Sequence, residues 1–393
     1  MVASMGRTMM EQGGTLTRRE GTLPARLAAA LPPEAELLAR SPGRANLIGE
    51  HTDYNGGFVL PVALDMQTVI GGIRQDVLRL RSLEEPGTVE VDLADGSGPT
   101  TGWGRYVTAV VRVLLEDGLR LRGLDGVIAS DVPVGTGLSS SAAIEVAVAL
   151  AVLDEPIDAV RLARLCQRAE NVHVGVRSGI MDQLASAASH AGHALFIDCR
   201  SLEIRDVPVP DALRVLVVDS GQKRELASGE YNRRRDECEE AARLLGVGSL
   251  RDVDDASLVE GLPEPFRSRA RHVVTENQRT LATVDALAAD DRTALRRLFA
   301  DSHRSLATDF AVSTPDLDTL VHVAMATEGV VASRMTGAGF GGCTVSLVGA
   351  DAATAAAARV AESYAARTGR APRWWVSRAA AGAMELLESS QAG

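Results

Sequence analysis

A loop rich in glycine and serine, followed by a strongly apolar helix, is the feature that most constrains how this chain can fold. Residues 133–143 read PVGTGLSSSAA; they follow a predicted strand, Gly126 to Ser130, and open a predicted helix, Ala142 to Leu153. Because this helix is apolar almost all round, we expect it to be buried. Glycines let a backbone approach a ligand closely, and the amides at a helix N-terminus favour a phosphate group. Taken alone, the loop fits a turn with a serine cap equally well, and no Lys gives it the Walker pattern.

Length and composition predict a globular enzyme with two lobes and a cleft between them. A chain of 393 residues is too long for one ordinary hydrophobic core. Its 46% hydrophobic and 24% charged residues are close to globular averages. We place a flexible extension at residues 1–22, a first domain at 23–199 and a second domain at 200–388. No linker marks the boundary near Arg200.

Periodicity predicts mixed strands and helices. A strand, Glu36 to Ser41, leads into a polar stretch that begins at Pro42, and a helix from Val160 to Val172 carries one buried apolar stripe that includes Val172. Glu170 borders that stripe, and Asp182 lies in the first turn of the next helix. Towards the C-terminus, a strand, a helix and a strand between Cys343 and Arg378 form a second α/β layer.

Charge and cysteine content exclude several classes of function. The formal net charge of -11 argues against a nucleic-acid binder, whose phosphate contacts need clustered Lys and Arg. The four cysteines stand too far apart for a zinc site or a disulfide framework, which predicts reduced thiols in a cytoplasmic protein. The longest apolar run is shorter than the roughly 20 residues that cross a bilayer, so no membrane segment is predicted.

Two further stretches carry candidate chemistry. Residues 336–342, TGAGFGG, formally match a dinucleotide fingerprint, but they run into a predicted strand where that fingerprint requires a helix. A tight turn is therefore the favoured interpretation, and a nicotinamide dehydrogenase is disfavoured. Residues 43–57, GRANLIGEHTDYNGG, are dense in carboxylate, amide and imidazole groups, which suits a polyhydroxylated ligand, although a long surface turn uses similar residues.

These motifs, in this order, resemble the GHMP kinase superfamily, and residues 44–60, RANLIGEHTDYNGGFVL, are similar to the sugar-binding stretch of galactokinases. Residues 179–183, GIMDQ, resemble the catalytic segment, and residues 224–235 resemble a stretch with a sugar-contacting tyrosine, here Tyr231. The resemblance runs from about Leu23 to about Gly382. It implies an α+β, two-lobed fold with a mixed-sheet N-terminal domain, a C-terminal domain with antiparallel sheets, and the active site in the cleft between them.

The resemblance also implies an activity and a role for each site residue. The activity is transfer of the ATP γ-phosphoryl group to the C1 hydroxyl of D-galactose. Asp182 would be the general base and Arg44 would support the reacting oxygen and phosphoryl group. The remaining roles are sugar binding by Glu50, His51, Asp53, Gly179 and Tyr231, ATP binding by Gly135, Gly137, Leu138, Ser139, Ser140, Ser141 and Trp103, and Mg²⁺ binding by Ser141 and Glu170.

Two alternatives stay open at this point. Some relatives bind galactose and ATP only as sensors, but those proteins lose residues of the serine loop, which is complete here. A kinase for another sugar, such as N-acetylgalactosamine, keeps the same chemistry with a different acceptor. Galactose and ATP are the expected partners, and we expect a monomer or a weak homo-oligomer.

Overall fold

Three β-sheets with helices packed against them form the part of the chain that a computed structural model describes, residues 23–222 and 227–385. The predicted extension 1–22, the start of the tyrosine-bearing stretch at 224–226 and the last residues of the second domain, 386–388, lie outside the described residues. The strands are β1 (Glu36–Asn46), β2 (Phe58–Val59), β3 (Pro61–Gln75), β4 (Leu78–Ser82), β5 (Thr88–Val91), β6 (Gly123–Ser130), β7 (His193–Asp198), β8 (Ile204–Pro208), β9 (Leu213–Asp219), β10 (Val330–Met335), β11 (Cys343–Gly349), β12 (Arg373–Ser377) and β13 (Met384–Glu385). The helices are α1 (Leu23–Ala30), α2 (Gly104–Glu116), α3 (Ser140–Val152), α4 (Ala159–Ala169), α5 (Met181–Ala188), α6 (Ala227–Leu245), α7 (Phe266–Ala288), α8 (Arg292–Thr308), α9 (Pro315–Ala326) and α10 (Ala353–Thr368).

The first sheet is mixed and has the strand order β13-β1-β3-β6-β4-β5. Strands β4 and β6 run parallel, and the other neighbouring pairs run antiparallel. The expectation that β1 ends at Ser41 is wrong, because the strand continues to Asn46. The register shifts between Pro42 and Arg44, and such a bulge lets a strand accommodate a proline and continue pairing. Arg44 is therefore held on a strand.

The apolar helix after the glycine loop is buried, as predicted. Helix α3 packs against β1 and β3 and against α2, α4 and α5. Its Val146, Val148 and Val152 have no exposed surface and belong to one core with residues of β3 and α2. Glu145 is fully buried in the same helix. The start of α3, where the serines lie, is thereby fixed to the sheet.

A π-helical turn, Glu170–Val174, follows directly on α4. The expectation that Val172 continues the buried stripe is wrong, because its side chain is 64% exposed. A π turn adds a residue to the helical turn and so rotates the following side chains away from the stripe. Glu170 was predicted to border the buried face of this helix. In the structure it is itself buried.

The second sheet is antiparallel, with the order β10-β11-β9-β12. Successive residues of β9 face opposite sides, as the alternation of a strand requires. Val215 and Val217 join a core with Phe299 of α8, while Leu216 and Val218 join a core with Tyr364 of α10. The predicted strand, helix and strand near the C-terminus are confirmed as β11, α10 and β12.

Two pairings cross the predicted domain boundary near Arg200. The third sheet has the order β2-β7-β8, and its hairpin β7–β8 spans that boundary. Strand β13, which comes from the predicted second domain, pairs with β1 in the first sheet. The four cysteines, all of which lie within the described residues, form no disulfide with one another. No described helix combines the length and apolar character that a membrane crossing requires.

Candidate active site

A cavity of about 900 Å³ is lined by residues from both halves of the chain. Its walls are formed by the loop before α3, the segment after β1, the start of α5, the end of β9 and the glycine turn after β10. The site residues predicted from the sequence that line it are Arg44, Glu50, His51, Asp53, Gly135, Gly137, Ser139, Ser140, Ser141, Glu170, Gly179, Asp182 and Tyr231. A cavity of this size falls in the range of small-ligand sites.

The loop between β6 and α3 forms one wall of this cavity. Its Gly135 and Gly137 have φ values of 76° and 87°, which strongly favour glycine. Ser139 has φ 60° at the N-cap of α3, although it is not a glycine. Such a strained residue is often part of a functional site. Ser140 and Ser141 form the first turn of α3 and also line the cavity, where helix amides favour an anion.

Arg44 ties the loop to Asp182, which also lines the cavity. Its Nε donates to Asp182 Oδ1 at 2.7 Å, and its Nη1 donates to the carbonyl oxygen of Gly137 at 2.7 Å. Ser139 Oγ donates to the other Asp182 oxygen at 2.6 Å. Arg44 is buried and the Asp182 side chain is 26% exposed. One carboxylate is therefore held by the strand and the loop together, with part of its surface left open to the cavity.

A second carboxylate, Asp53, lies close to Asp182. A Cβ added at Gly179 would be 1.9 Å from Asp53 Oδ2, so only glycine allows Asp53 its place. Burial, followed by the charge of Asp182, raises the pKa of Asp53 from 3.8 to about 6. The two acids thus share one region of the cavity at the start of α5.

The aromatic rings of His51 and Tyr231 line the cavity near Asp53. The ring centroid of Tyr231 lies 5.6 Å from that of His51 and 5.4 Å from that of Tyr54. Burial lowers the pKa of His51 to about 3, so its imidazole is neutral. His51 Nε2 lies 3.3 Å from the Ala338 carbonyl oxygen and Nδ1 lies 2.9 Å from the Tyr54 hydroxyl. A carbonyl only accepts, so Nε2 carries the proton and the Tyr54 hydroxyl donates to Nδ1.

Glu50 connects the segment after β1 to the glycine turn after β10. Its Oε1 accepts from the backbone N–H of Gly337 at 3.0 Å and from the Thr336 hydroxyl at 3.1 Å, and its Oε2 pairs with Arg334. Burial raises the pKa of Glu50, while the Arg334 charge opposes that rise. The fully buried Arg334 also lies 3.5 Å from Glu276. The turn predicted at residues 336–342 is confirmed, and Glu50 fixes it against the cavity.

Glu170 also lines the cavity, beside Ser141 of α3. Its Oε2 accepts from Ser178 Oγ at 2.5 Å and from Gln183 Nε2 at 3.1 Å. The Ser141 hydroxyl also hydrogen-bonds to Glu170. Burial is the main cause that raises the pKa of this carboxyl group. Among the described residues, no group of three or more His, Cys, Asp or Glu has a metal-binding arrangement.

Two predicted ATP-binding residues do not line the cavity. Leu138 is fully buried in a hydrophobic core, and only its carbonyl oxygen is engaged nearby, where it accepts from the Arg44 backbone N–H at 3.1 Å. Trp103 packs against the core of the first sheet, and its indole N–H lies 3.4 Å from the Pro86 carbonyl oxygen.

Several lining residues were missed by the sequence analysis. Asp219 ends β9 and pairs with Arg373 at 2.7 Å, and both line the cavity together with Gln222. The sequence could have indicated Asp219 as a site residue, because Asp219 directly follows a largely apolar run and precedes Ser-Gly. Arg105 and Tyr106 at the start of α2 line the cavity close to where Trp103 was expected to act. Their role could not be read from spacing.

Three family models match this chain. The galactokinase galactose-binding signature matches residues 29–72, the GHMP kinases N terminal domain matches residues 105–190, and the GHMP kinases C terminal domain matches residues 283–366. The segments with the site residues of β1, α3 and α5 fall within the first two of these matches.

Curated relatives and solved structures agree with those models. The galactokinase of Chloroflexus aggregans is 48% identical over 368 residues, covering 90% of this chain and 94% of the relative. The galactokinase of Streptomyces coelicolor is 44% identical over 382 residues, covering 93% and 98%. The crystal structure of Lactococcus lactis galactokinase complexed with galactose is 32% identical, with a TM-score of 0.83 and coverage of 90% and 96%. The mevalonate kinase of Methanococcus jannaschii shares the fold, with a TM-score of 0.60 at 18% identity and coverage of 88% and 99%.

These features together define a GHMP kinase fold. They are a mixed sheet, an antiparallel sheet, and a glycine-serine loop that precedes a buried helix and lines the cavity. The fold class expected from the sequence is thereby confirmed. Within this class, the match of residues 29–72 to the galactokinase signature and the 48% identity to a curated galactokinase indicate one family. The chain belongs to the galactokinase family and is an ATP-dependent sugar kinase.

Proposed function

We propose that this kinase transfers the γ-phosphoryl group of ATP to the C1 hydroxyl of D-galactose, giving galactose 1-phosphate and ADP, with Asp182 as the general base. The observation that carries the proposal is the position of Asp182. Its carboxylate faces the cavity and is joined to the glycine-serine loop through Arg44 and Ser139. Phosphoryl transfer depends mainly on positioning and charge neutralisation, and this arrangement sets the distance between the base and the phosphate-binding loop.

In this proposal, Asp182 accepts the proton of the sugar hydroxyl as the oxygen attacks the γ-phosphorus. Arg44 holds Asp182 Oδ1 and provides a positive charge next to the reacting oxygen and the transferred group. Ser139 donates to Oδ2 and keeps the carboxylate in one rotamer. Because Arg44 Nε, Arg44 Nη2 and Ser139 Oγ together hold the carboxylate, little reorganisation is needed before the proton moves.

The galactose pocket is formed, in our proposal, by five residues that line the cavity: Glu50, His51, Asp53, Gly179 and Tyr231. A carboxylate accepts two sugar hydroxyls well, and Asp53 can take this role since it lies beside Asp182. Gly179 leaves the room that the Asp53 side chain needs. The fixed rings of His51 and Tyr231 offer an apolar face to the sugar carbons. Glu50 would act mainly by holding the glycine turn at Gly337.

ATP would bind along the loop before α3, with its phosphates near Gly135, Gly137 and the serines 139–141. The backbone of Leu138 belongs to this loop, whereas a contact of Trp103 with adenine stays a prediction that its packing does not support. Ser141 and Glu170 supply a hydroxyl and a carboxylate oxygen, which are the donors that Mg²⁺ prefers. Mg²⁺ usually takes one or two carboxylates and completes its shell with phosphate and water oxygens. Bound there, the ion would neutralise charge on the phosphates.

We also propose domain boundaries, a cellular location and an oligomeric state for this protein. The chain is divided into domains at residues 23–199 and 200–388, apart from the hairpin β7–β8 and the return of β13 to the first sheet. The protein is cytoplasmic, which fits four cysteines that form no disulfide with one another. It acts as a monomer or a weak homo-oligomer.

A panel of sugars with ATP and Mg²⁺, analysed by ³¹P and ¹³C NMR, tests the proposed reaction. We expect galactose to give the highest kcat/KM and a single product phosphorylated at C1. A higher kcat/KM for N-acetylgalactosamine, or phosphorylation at another carbon, would overturn the proposed substrate or regiochemistry. Galactose and ATP binding without ADP release would instead identify a sensor.

A further inference from the structure

A buried polar pair lies directly behind Glu170 and outside the cavity. Gln183, on α5, has no exposed surface, and its Nε2 donates to Glu170 Oε2 at 3.1 Å and to Glu145 Oε2 at 3.1 Å. Glu145 is fully buried in the middle of α3, a helix that is otherwise apolar after its serines. Neither residue lines the cavity. A polar pair placed inside a hydrophobic core needs an explanation.

The hydrogen-bond donors and acceptors of the pair indicate which protonation state of Glu145 is stable. Both amide hydrogens of Gln183 are used, one for each carboxyl group. Within residues 23–222 and 227–385, Glu145 Oε1 and Gln183 Oε1 are both buried without a hydrogen-bond partner. A proton on Glu145 would supply the donor that the Gln183 carbonyl lacks, and it would close a cyclic acid–amide pair. The two orphaned oxygens then satisfy each other.

The surrounding charges favour the same neutral form. The charges that act on Glu145 are the carboxylates of Glu170 and Asp182, and both repel a negative charge there. Burial and then the Glu170 charge raise the pKa of Glu145 well above its ordinary value. Within the described part of the chain, no cation is paired with Glu145, so an ionised Glu145 near Glu170 and Asp182 would be strongly unfavourable.

We propose that Glu145 is a positioning residue for the magnesium site: as a neutral acid paired with Gln183, it fixes the amide that holds the Glu170 carboxylate. The inference rests on the proposed role of Glu170 as a magnesium ligand. If the amide rotated by half a turn, its carbonyl would face Glu170 and repel it. Pairing with Glu145 holds the plane of the amide in place, and of the two orientations that this pairing allows, only the observed one donates to Glu170. Glu170 then stays next to Ser141.

Mn²⁺ binding measured by EPR, on the full chain with a non-hydrolysable ATP analogue, tests the inference without turnover. Replacing a group that orients a metal ligand typically weakens metal binding by about 10- to 100-fold. We expect Glu145→Leu and Gln183→Leu each to weaken Mn²⁺ binding by about 10-fold, with the affinity for galactose unchanged. Glu145→Gln, a neutral isostere that keeps one donor and one acceptor, restores most of the affinity. The double variant is no weaker than either single variant, because both break one pair.

Mn²⁺ affinity equal to the parent in Glu145→Leu, or in Gln183→Leu if the first variant does not fold, would overturn the inference. So would a Glu145→Gln variant as weak as Glu145→Leu, since the effect would then require the ionised acid. Glu170→Gln separates the two proposals. If it leaves Mn²⁺ binding unchanged, the proposed metal ligand is wrong; if it alone weakens binding, only the role of Glu145 is wrong.

Discussion

Replacing Asp53 by Asn changes the stability of the ligand-free protein in a way that depends on pH. The rise of the Asp53 pKa from 3.8 to about 6 means that the ionised form is unfavourable in the folded state. At about 1.36 kcal/mol per pKa unit, the rise corresponds to about 3 kcal/mol. Solvent screening of this partly exposed side chain reduces the figure, so we expect a stabilisation of about 1–3 kcal/mol at pH 8.

The sign and the pH window follow from proton linkage. An acid whose pKa is raised by folding destabilises the folded state as the pH rises through the unfolded pKa, here 3.8, and the penalty is complete above about 6. At pH 5 the penalty has reached about half of its full value. Asn carries no charge and removes the penalty at every pH. The gain from the substitution therefore grows between pH 5 and pH 8.

Differential scanning calorimetry without sugar or nucleotide measures this effect. We expect Asp53→Asn to raise Tm by about 1–4 °C at pH 8 and by about half as much at pH 5. Asp76→Asn removes the same charge from an exposed turn and serves as the control, with little change at either pH. A Tm gain that is equal at both pH values, or a loss at pH 8, would refute the coupling between Asp53 and its surroundings.

Three further substitutions test other parts of the site. Gly179→Ala places a Cβ 1.9 Å from Asp53 Oδ2 and should raise the KM for galactose by about 10-fold or more, with the KM for ATP little changed; Gly229→Ala, where a Cβ meets nothing within 4 Å, is the control. Equal effects on both KM values would contradict this view of Asp53. Arg334→Met leaves two buried glutamates without their shared cation and should lower the free energy of unfolding by about 3–5 kcal/mol in urea titrations; an unchanged urea midpoint would refute that. Ser139→Ala removes one hydrogen bond to the proposed base and should lower kcat by about 10-fold in a coupled ADP assay, whereas an unchanged kcat would show that this bond is dispensable.

The sequence predicted those parts of the fold and site that local chemistry dictates. The glycine-serine loop and its buried helix could be predicted, because positive φ angles favour glycine and an all-apolar helix has to be covered. Asp182 at the start of α5 and the tight turn at Gly337 followed from similar local rules. The resemblance to a family then assigned roles to these positions.

Features that depend on distant residues or on irregular backbone could not be predicted. Arg44 meets Asp182 across 138 positions of sequence, and the bulge that carries Arg44 on β1 is set by pairing with β3. The π turn at Glu170 has no periodic signal, so Val172 was assigned to the wrong face. Glu50 lines the cavity, as expected for a sugar-binding residue, but its ion pair with Arg334 and its hydrogen bond from Gly337 could not be predicted, because only the folded chain brings these residues near.

The central claim is that Asp182 accepts the proton of the sugar hydroxyl while the loop before α3 holds the nucleotide. Rapid-quench single-turnover kinetics of Asp182→Asn, together with calorimetric titration of galactose and of an ATP analogue, test it most directly. We predict a rate of phosphoryl transfer about 100- to 10,000-fold lower than in the parent, with both ligands bound nearly as tightly as before. A variant that keeps more than about a tenth of the parent rate would contradict the claim, because removal of a general base costs at least about 100-fold.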